Sequence, residues 1–476
     1  MKKLTLLWIF LIPVVYLLSC SKDFKTANLS EEKTIRRSAG DGLLDLAGYG
    51  YDVTKEYASS NSSTYKVINI EKLKLQEPSR VVVGYASSIQ NKLTVGSDAE
   101  SFAERLSLNV DVTAGAKLFG ATIGAKFGLT SYDTSYLSSK WVYGMVSLIA
   151  EQKQVKFDAP LSLLQTEYLD PVFASEVTTL SAEALVAKYG THVLRSIKLG
   201  GVLDVLYQAQ TQSEFRTSAG SWGAALNVKG IFNTLDVSAQ VNSSHNSSDA
   251  SQNYNQTLVY QTRGGDASKG LLGEIKLDGT TPGTIDVGNW QSGVSNENSE
   301  LIGFGENGLI PISDLIADPA KKLAVEQYIA AYLQNKSVRT TISKQPVYSY
   351  WNATNTSHFF SFDVGSFISG GWSREVIRFY ALDAPYKDSA QAVYSYWSPV
   401  TNSHYFSFDA GPTITPGFNR EVIRFYAFPF QYPGTEPVYS YWSPVTNSHY
   451  FSFDVGPTIS GGFTREIVRF YAFRYL

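Results

Sequence analysis

Cysteine is almost absent: among 476 residues there is one, Cys20. A single thiol excludes an intramolecular disulfide framework and a cysteine-based metal cluster. Charge is sparse as well, since Asp, Glu, Lys and Arg supply 17% of the chain against roughly 25% in an average soluble protein. Forty basic and 43 acidic residues leave a net charge of -3, so no long-range field draws in a polyanion and nucleic acid is not an expected partner. Also missing are a phosphate loop, a paired-histidine zinc motif and a nucleophile elbow. No catalytic constellation, metal or cofactor is therefore expected, and the chain does not read as an enzyme. What is abundant is aromatic side chain, 13% of residues, on a length that fits two or three domains at roughly 100 to 200 residues each.

Lys2 and Lys3 precede an apolar run from Leu4 to Leu18. The run has the length of a signal-peptide core and falls short of the ~20 residues that span a bilayer as a helix. It closes as Leu17-Leu18-Ser19-Cys20, which resembles the lipobox of bacterial lipoproteins, where the cysteine is acylated. Residues 1–20 are expected to be a lipoprotein signal, residues 21–40 a solvated tether, and the mature protein to sit at an outer membrane or cell surface, or to be secreted or carried on vesicles.

The last third repeats itself. Val347-Tyr348-Ser349-Tyr350-Trp351 returns as Val393-Tyr394-Ser395-Tyr396-Trp397 and as Val438-Tyr439-Ser440-Tyr441-Trp442, and each copy continues into a histidine-led run and an Arg-Glu run. These short aromatic runs bounded by Gly, Pro, Asn and Ser read as strands. Residues 345–476 hold 34 of the 64 aromatic residues, most of which must be core. Three such units are expected to pack about a pseudo-threefold axis as an all-β domain, trefoil-like by preference or prism-like. His358, His404 and His449 are expected to be hydrogen-bonded within their lobes, and Arg374-Glu375, Arg420-Glu421 and Arg465-Glu466 to be salt-bridged. Trp397 and Trp442, each followed by Ser-Pro-Val-Thr-Asn-Ser-His, are the candidate ligand contacts for a surface glycan or a lipopolysaccharide-like receptor.

In the middle of the chain, Ser181 is placed to cap a helix that Gly190 ends. Tyr189-Gly190-Thr191-His192 follows, and after a fixed interval Gly200-Gly201. This resembles the signature of the membrane attack complex/perforin (MACPF) family, departing from it at Val193 where an aromatic is usual. Gly264-Gly265, Trp290 and an amphipathic stretch from Pro319 to Gln334 stand where related proteins carry a glycine pair, a tryptophan loop and a closing helix. The resemblance, over residues 41–340, implies an α+β domain: a bent four-stranded antiparallel sheet flanked by two helical clusters, which become membrane-spanning hairpins after homo-oligomerisation on a target membrane. Among the family, lipoproteins of Bacteroidales resemble this chain, some of them secreted antimicrobial proteins.

Alternation supports the implication independently. Leu106, Leu108, Val110, Val112 and Leu118, then Phe119, Ile123, Phe127 and Leu129, fall on one face of two extended segments; Trp222, Leu226 and Val228, then Ile231, Leu235, Val237 and Val241, do so again. The first two segments are each at least as long as the ~9 to 11 residues a tilted strand needs to cross a bilayer. In a water-soluble monomer the same segments can lie against the sheet as helices, and insertion requires closure into a barrel that pairs every backbone amide. Gly200, Gly201, Gly264 and Gly265 suit a sheet that must unbend. The expected function is that of a membrane-perforating lipoprotein and candidate antimicrobial toxin; the alternative is a non-lytic adhesin on the same fold.

Overall fold

The computed structural model describes residues 42–108, 136–213, 215–241, 247–277, 279, 283–386, 389–414 and 417–476. Cys20, Val110, Val112, Leu118, Phe119, Ile123, Phe127 and Leu129 therefore lie outside the described residues, as does the unit Met1–Arg37.

Four long strands, Val81–Gly96, Trp141–Phe157, Ser196–Thr211 and Asn253–Arg263, pair antiparallel in that order. Two short strands extend the expected sheet of four: Leu272–Leu277 on the fourth strand and Glu300–Phe304 against the third. Side chains alternate between the faces of a strand, and here both faces find a core. Tyr143 and Met145 join one apolar cluster, whereas Val142, Val146 and Leu148 join another. The helix Ala99–Leu108 brings Phe102 to Tyr143, with ring centroids 6.2 Å apart. On the opposite face the helix Arg216–Ile231 sets Ala224 where a Cβ on Gly144 would lie 3.0 Å away. The two helical elements thus clad the sheet from both sides.

The helix Ala182–Tyr189 forms as its sequence demands: the Ser181 hydroxyl accepts from Ala184 N at 3.1 Å, and Gly190, at φ 78°, ends it. The closing helix runs Pro319–Lys336 behind an Asp318 cap that accepts from Lys321 N at 2.7 Å. No described helix is long and apolar enough to cross a membrane, which says nothing of strands.

Each C-terminal repeat is an antiparallel unit of four strands. In the first the order is Ser357–Ser361, Lys344–Asn352, Trp372–Leu382, Phe367–Ile368, and the other two repeat it. Between lobes the described residues show only single bridges, such as Leu382 with Tyr426 and Tyr380 with Phe473. These bridges join the twelve strands into one sheet of three four-stranded units about an axis, an organisation nearer the prism-like alternative than a trefoil whose ladders close a barrel. Rings join the units as well. Phe360, Phe406 and Phe451 form a triangle with centroids 5.4–5.6 Å apart. Phe379, Phe425 and Phe470 form a second at 5.3–5.4 Å. Within each lobe the two layers stack, as Phe360 does on Phe379.

Candidate functional site

One line across the sheet loses step. Between the first and second strands the register jumps from Tyr85↔Lys153 to Ser88↔Glu151. Between the second and third, Glu151 faces Gly200 and Lys153 faces Leu199, which leaves Gln152 over. Between the third strand and Glu300–Phe304, the shift falls after Glu300↔Gly200 and Leu301↔Leu199. Bulges bend a strand and raise its twist; placed side by side they bend the sheet about Ser88, Glu151, Gly200 and Glu300.

The glycines serve close approach at this line. Gly264, directly after the fourth strand, has φ +68°, and a Cβ there would meet Gly200 O at 2.2 Å. A Cβ on Gly201 would meet the Trp290 ring at 2.9 Å. Trp290 is fully buried and its indole Nε1 donates to Gly264 O at 3.0 Å, plugging the convexity between the glycine pairs.

Charge gathers on the other side of the line. Lys198 pairs with Glu151 at 3.0 Å, and Lys153 reaches Asp45 at 2.5 Å and Gly42 O at 3.0 Å. Arg263 donates to Asp204 at 3.2 Å and to the carbonyls of Ala58 and Leu301, while Ser147 donates to Asp204 at 2.6 Å. Glu151, Lys198, Asp204 and Arg263 also line a cavity of about 160 Å³ with Lys92, whose ammonium pKa is lowered by burial and then by Lys198. Pairs like these tolerate burial only while both partners remain. They hold the bend by contacts that a rearranged sheet must exchange.

The signature residues brace the sheet from behind. Tyr189 donates to Glu176 at 2.6 Å. A Cβ on Gly190 would meet the Tyr51 backbone at 2.6 Å. Thr191 Oγ1 donates to Tyr51 O and accepts from Val53 N, both at 3.3 Å. His192 lies in the short strand His192–Leu194, its Nδ1 2.9 Å from Thr191 Oγ1. Burial pushes its imidazole down to about 4, against the opposing charges of Asp52 and Asp314.

Of the alternating residues, Leu106 and Leu108 are helical, the first fully buried and the second 72% exposed. Trp222, Leu226, Val228 and Ile231 occupy the helix on the opposite face. Val228 and Ile231 are buried there, Trp222 is half-buried and Leu226 is exposed. Leu235, Val237 and Val241 continue as an irregular run packed into the same cluster. A two-residue alternation wound into a helix scatters over its circumference, because the helical period is 3.6 residues. This is why part of each apolar face is left outside.

In the C-terminal domain Trp351, Trp397 and Trp442 are alike: each is half-buried and lies 4.7 Å from its own lobe's histidine. The histidines take their own lobe's glutamate, His358 to Glu375 at 3.6 Å, His404 to Glu421 at 3.4 Å and His449 to Glu466 at 3.6 Å. The expected Arg-Glu pairs are thus corrected. Neighbours in a strand point to opposite faces, and Arg374, Arg420 and Arg465 bond carbonyls of Val364, Ala410 and Val455 instead. The two lobes singled out differ from the first in the turn beyond the tryptophan, where Val400 and Val445 are 78% and 81% exposed. The three turns meet: Thr356 donates to Thr446 O at 3.2 Å and Ser357 to Asn402 O at 3.1 Å. A groove of about 440 Å³ lies between Gln212 and Gln252 of the first domain and Phe362, Tyr394, Arg420 and Arg424 of the lobes.

Sequence reasoning missed the bulge at Gln152 and the charges beside it. Arg263 had a signal, a cation set directly before Gly264-Gly265 in a strand with no other charged residue, and the axial phenylalanines had one in their recurrence in all three copies.

A sheet broken in step along a glycine line, clad on both faces by helices, one of which holds residues that alternate as a strand does, defines a protein of perforin-like architecture. The chain belongs to the MAC/Perforin family: the profile of the MAC/Perforin domain matches residues 41–341. A second profile, a domain of unknown function (DUF5648), matches residues 346–473 and, in an overlapping register, 321–413. GNIP1Aa from Chromobacterium piscinae has a similar fold at 14% identity, with a TM-score of 0.50 over 84% of this chain and 85% of that one. A Bacteroides thetaiotaomicron protein with a MAC/Perforin domain is 16% identical over 77% of this chain and 70% of its own, with a TM-score of 0.49. No curated protein matches the sequence.

Proposed function

We propose that this chain is a membrane-perforating lipoprotein, acylated at Cys20, that attaches through its threefold domain to a hydroxyl-rich surface such as a glycan and opens a pore as a homo-oligomer. One observation carries the reading: residues 222–231, which alternate as an amphipathic strand does, are stored in a helix on one face of a bent sheet, while the helix Ala99–Leu108, which leads into the first alternating segment, lies on the other. The stored form leaves their backbone amides satisfied within the helix, and the inserted form satisfies them only in a closed barrel. An antimicrobial role fits such a lipoprotein, whose target is another cell.

Locking one stored helix tests it. The Cβ positions of residues 144 and 224 lie 3.0 Å apart, a few tenths of an ångström inside the roughly 3.5 Å lower limit of a disulfide. Oxidised Gly144→Cys/Ala224→Cys protein is expected to bind susceptible cells and to release no dye, with release returning on reduction. If the wild-type protein binds cells and never permeabilises them, the adhesin reading replaces this one. Loss of labelled fatty acid from Cys20→Ser protein tests the tether, and unchanged labelling removes it from the proposal.

A further inference from the structure

Backbone and side-chain bonds at both described ends of the first segment converge on the strand that leads into the C-terminal domain. That linker strand, Arg339–Thr341, pairs in parallel with Tyr136–Ser138, the backbone by which the chain returns to the sheet. Ser139 N continues the ladder by donating to Thr341 O at 3.2 Å. At the segment's other end, Glu100 in the first turn of the helix Ala99–Leu108 is held by the same residue twice: its N–H donates to Thr340 Oγ1, and its carboxylate accepts from Thr340 N, both at 3.3 Å. Glu100 and Thr340 are both buried.

The C-terminal domain adds a contact of its own. Asp383, one residue past the first lobe's last long strand, takes Lys140 at 2.7 Å. Three residues on, the Tyr386 phenol is raised by burial first, then by Tyr432, Glu100 and Asp98, which places it near the same helix start. One buried guanidinium completes the arrangement: Arg216 donates to Ser97 O at 2.9 Å and to Ser139 O at 2.8 Å, so it joins both ends of the first segment to the start of the second helix. The body of that second helix, by contrast, packs through Ala224, Ala225, Val228 and Ile231 into the core under the sheet.

We propose that the linker strand and Asp383 form a clasp by which the C-terminal domain restrains the first segment, so that displacement of that domain on a target surface frees Ala99–Leu108 and Tyr136–Ser138 before the second helix moves. The asymmetry is physical. Both helices pack apolar side chains against the sheet, Phe102 and Leu106 in the first and Ala224 and Val228 in the second, but the bonds from the linker strand and Asp383 reach the ends of the first segment and not the body of the second helix. The clasp rests on the perforating function proposed above, and its test reads the resting protein so that the two can fail separately.

Hydrogen–deuterium exchange on the intact chain, without any target, measures the restraint. Thr340→Val keeps the side chain's shape and removes the hydroxyl that Glu100 N–H uses, and Lys140→Glu turns the ion pair repulsive. Losing one buried hydrogen bond of ordinary strength is expected to speed exchange in 99–108 by about tenfold, with 216–231 unchanged. Lys140→Glu is expected to act in the same direction more weakly, and the swap Lys140→Glu/Asp383→Lys to return exchange to the wild-type rate. Unchanged rates in folded Thr340→Val protein, or equal acceleration of both helices, would overturn the clasp. Dye release answers the other question: absence of lysis with a normal exchange response counts against the pore and leaves the clasp standing.

Discussion

Phe360, Phe406 and Phe451 meet ring to ring at the axis of the threefold domain, whereas at the bend of the sheet the tightest approaches are of backbone to glycine, Gly264 over Gly200 O among them. The axis is apolar and closed by side chains that repeat in all three lobes. The bend is polar on one side, with Glu151, Lys198, Asp204 and Arg263 about a cavity, and plugged by a single tryptophan on the other. A region that presents one fixed surface gains from interlocking rings, because each ring removed leaves a void that its neighbours cannot fill. A region that changes shape gains from contacts that can be exchanged without opening an apolar core. The same chain holds both kinds of contact.

The contrast is sharpest where a ring is deleted. Phe406→Ala is expected to destabilise the C-terminal domain by about 3–5 kcal/mol, read as an early unfolding transition in a thermal or urea titration. A loss shared evenly with the first domain would break the contrast.

Acid comes next. With its folded pKa near 4 and an unfolded value of about 6.5, His192 favours the native state above pH 6.5. As pH falls through that window toward 4, the unfolded chain takes up a proton that the native one refuses, so about 3 kcal/mol of stability is lost. Urea midpoints for the wild type and His192→Gln are expected to converge over that range, with the loss confined to the first domain.

Gly264→Ala is expected to cost about 1–3 kcal/mol, since it adds both a left-handed strain and a backbone clash. If it instead leaves stability untouched, the glycine line is an ordinary turn and the close approach at the bend is dispensable. The smallest effect on stability belongs to the exposed turns: Val400→Ser with Val445→Ser is expected to stay within about 0.5 kcal/mol while reducing attachment to susceptible cells. Undiminished attachment would remove those turns from the recognition surface.

Several of these residues could be found without coordinates. Ser181, Gly190 and Asp318 mark helix ends because capping chemistry is local, fixed by hydroxyl, carboxylate or missing Cβ within three residues. The three lobes and their strands were legible in Tyr-Ser-Tyr-Trp repeats, Gly200-Gly201 in the signature to which they belong, and Gly264-Gly265 in the resemblance around it. Trp397 and Trp442 looked distinct only because their turns differ from the first lobe's, and at the rings themselves all three lobes are the same.

The sequence by itself determined which segments alternate, where helices cap, that three lobes recur and that the chain carries the signature of its family. Those properties depend on residues near one another along the chain. Tertiary structure alone decided that the alternating residues 222–231 coil as a helix here, because the choice rests on whether the sheet's face or a membrane receives their apolar side. It also decided that Gln152 falls out of register opposite Gly200, that the lobes join through phenylalanines and not through a barrel, and that Thr340 holds Glu100. Each of those contacts joins residues 45 or more positions apart, and no local pattern names the partner.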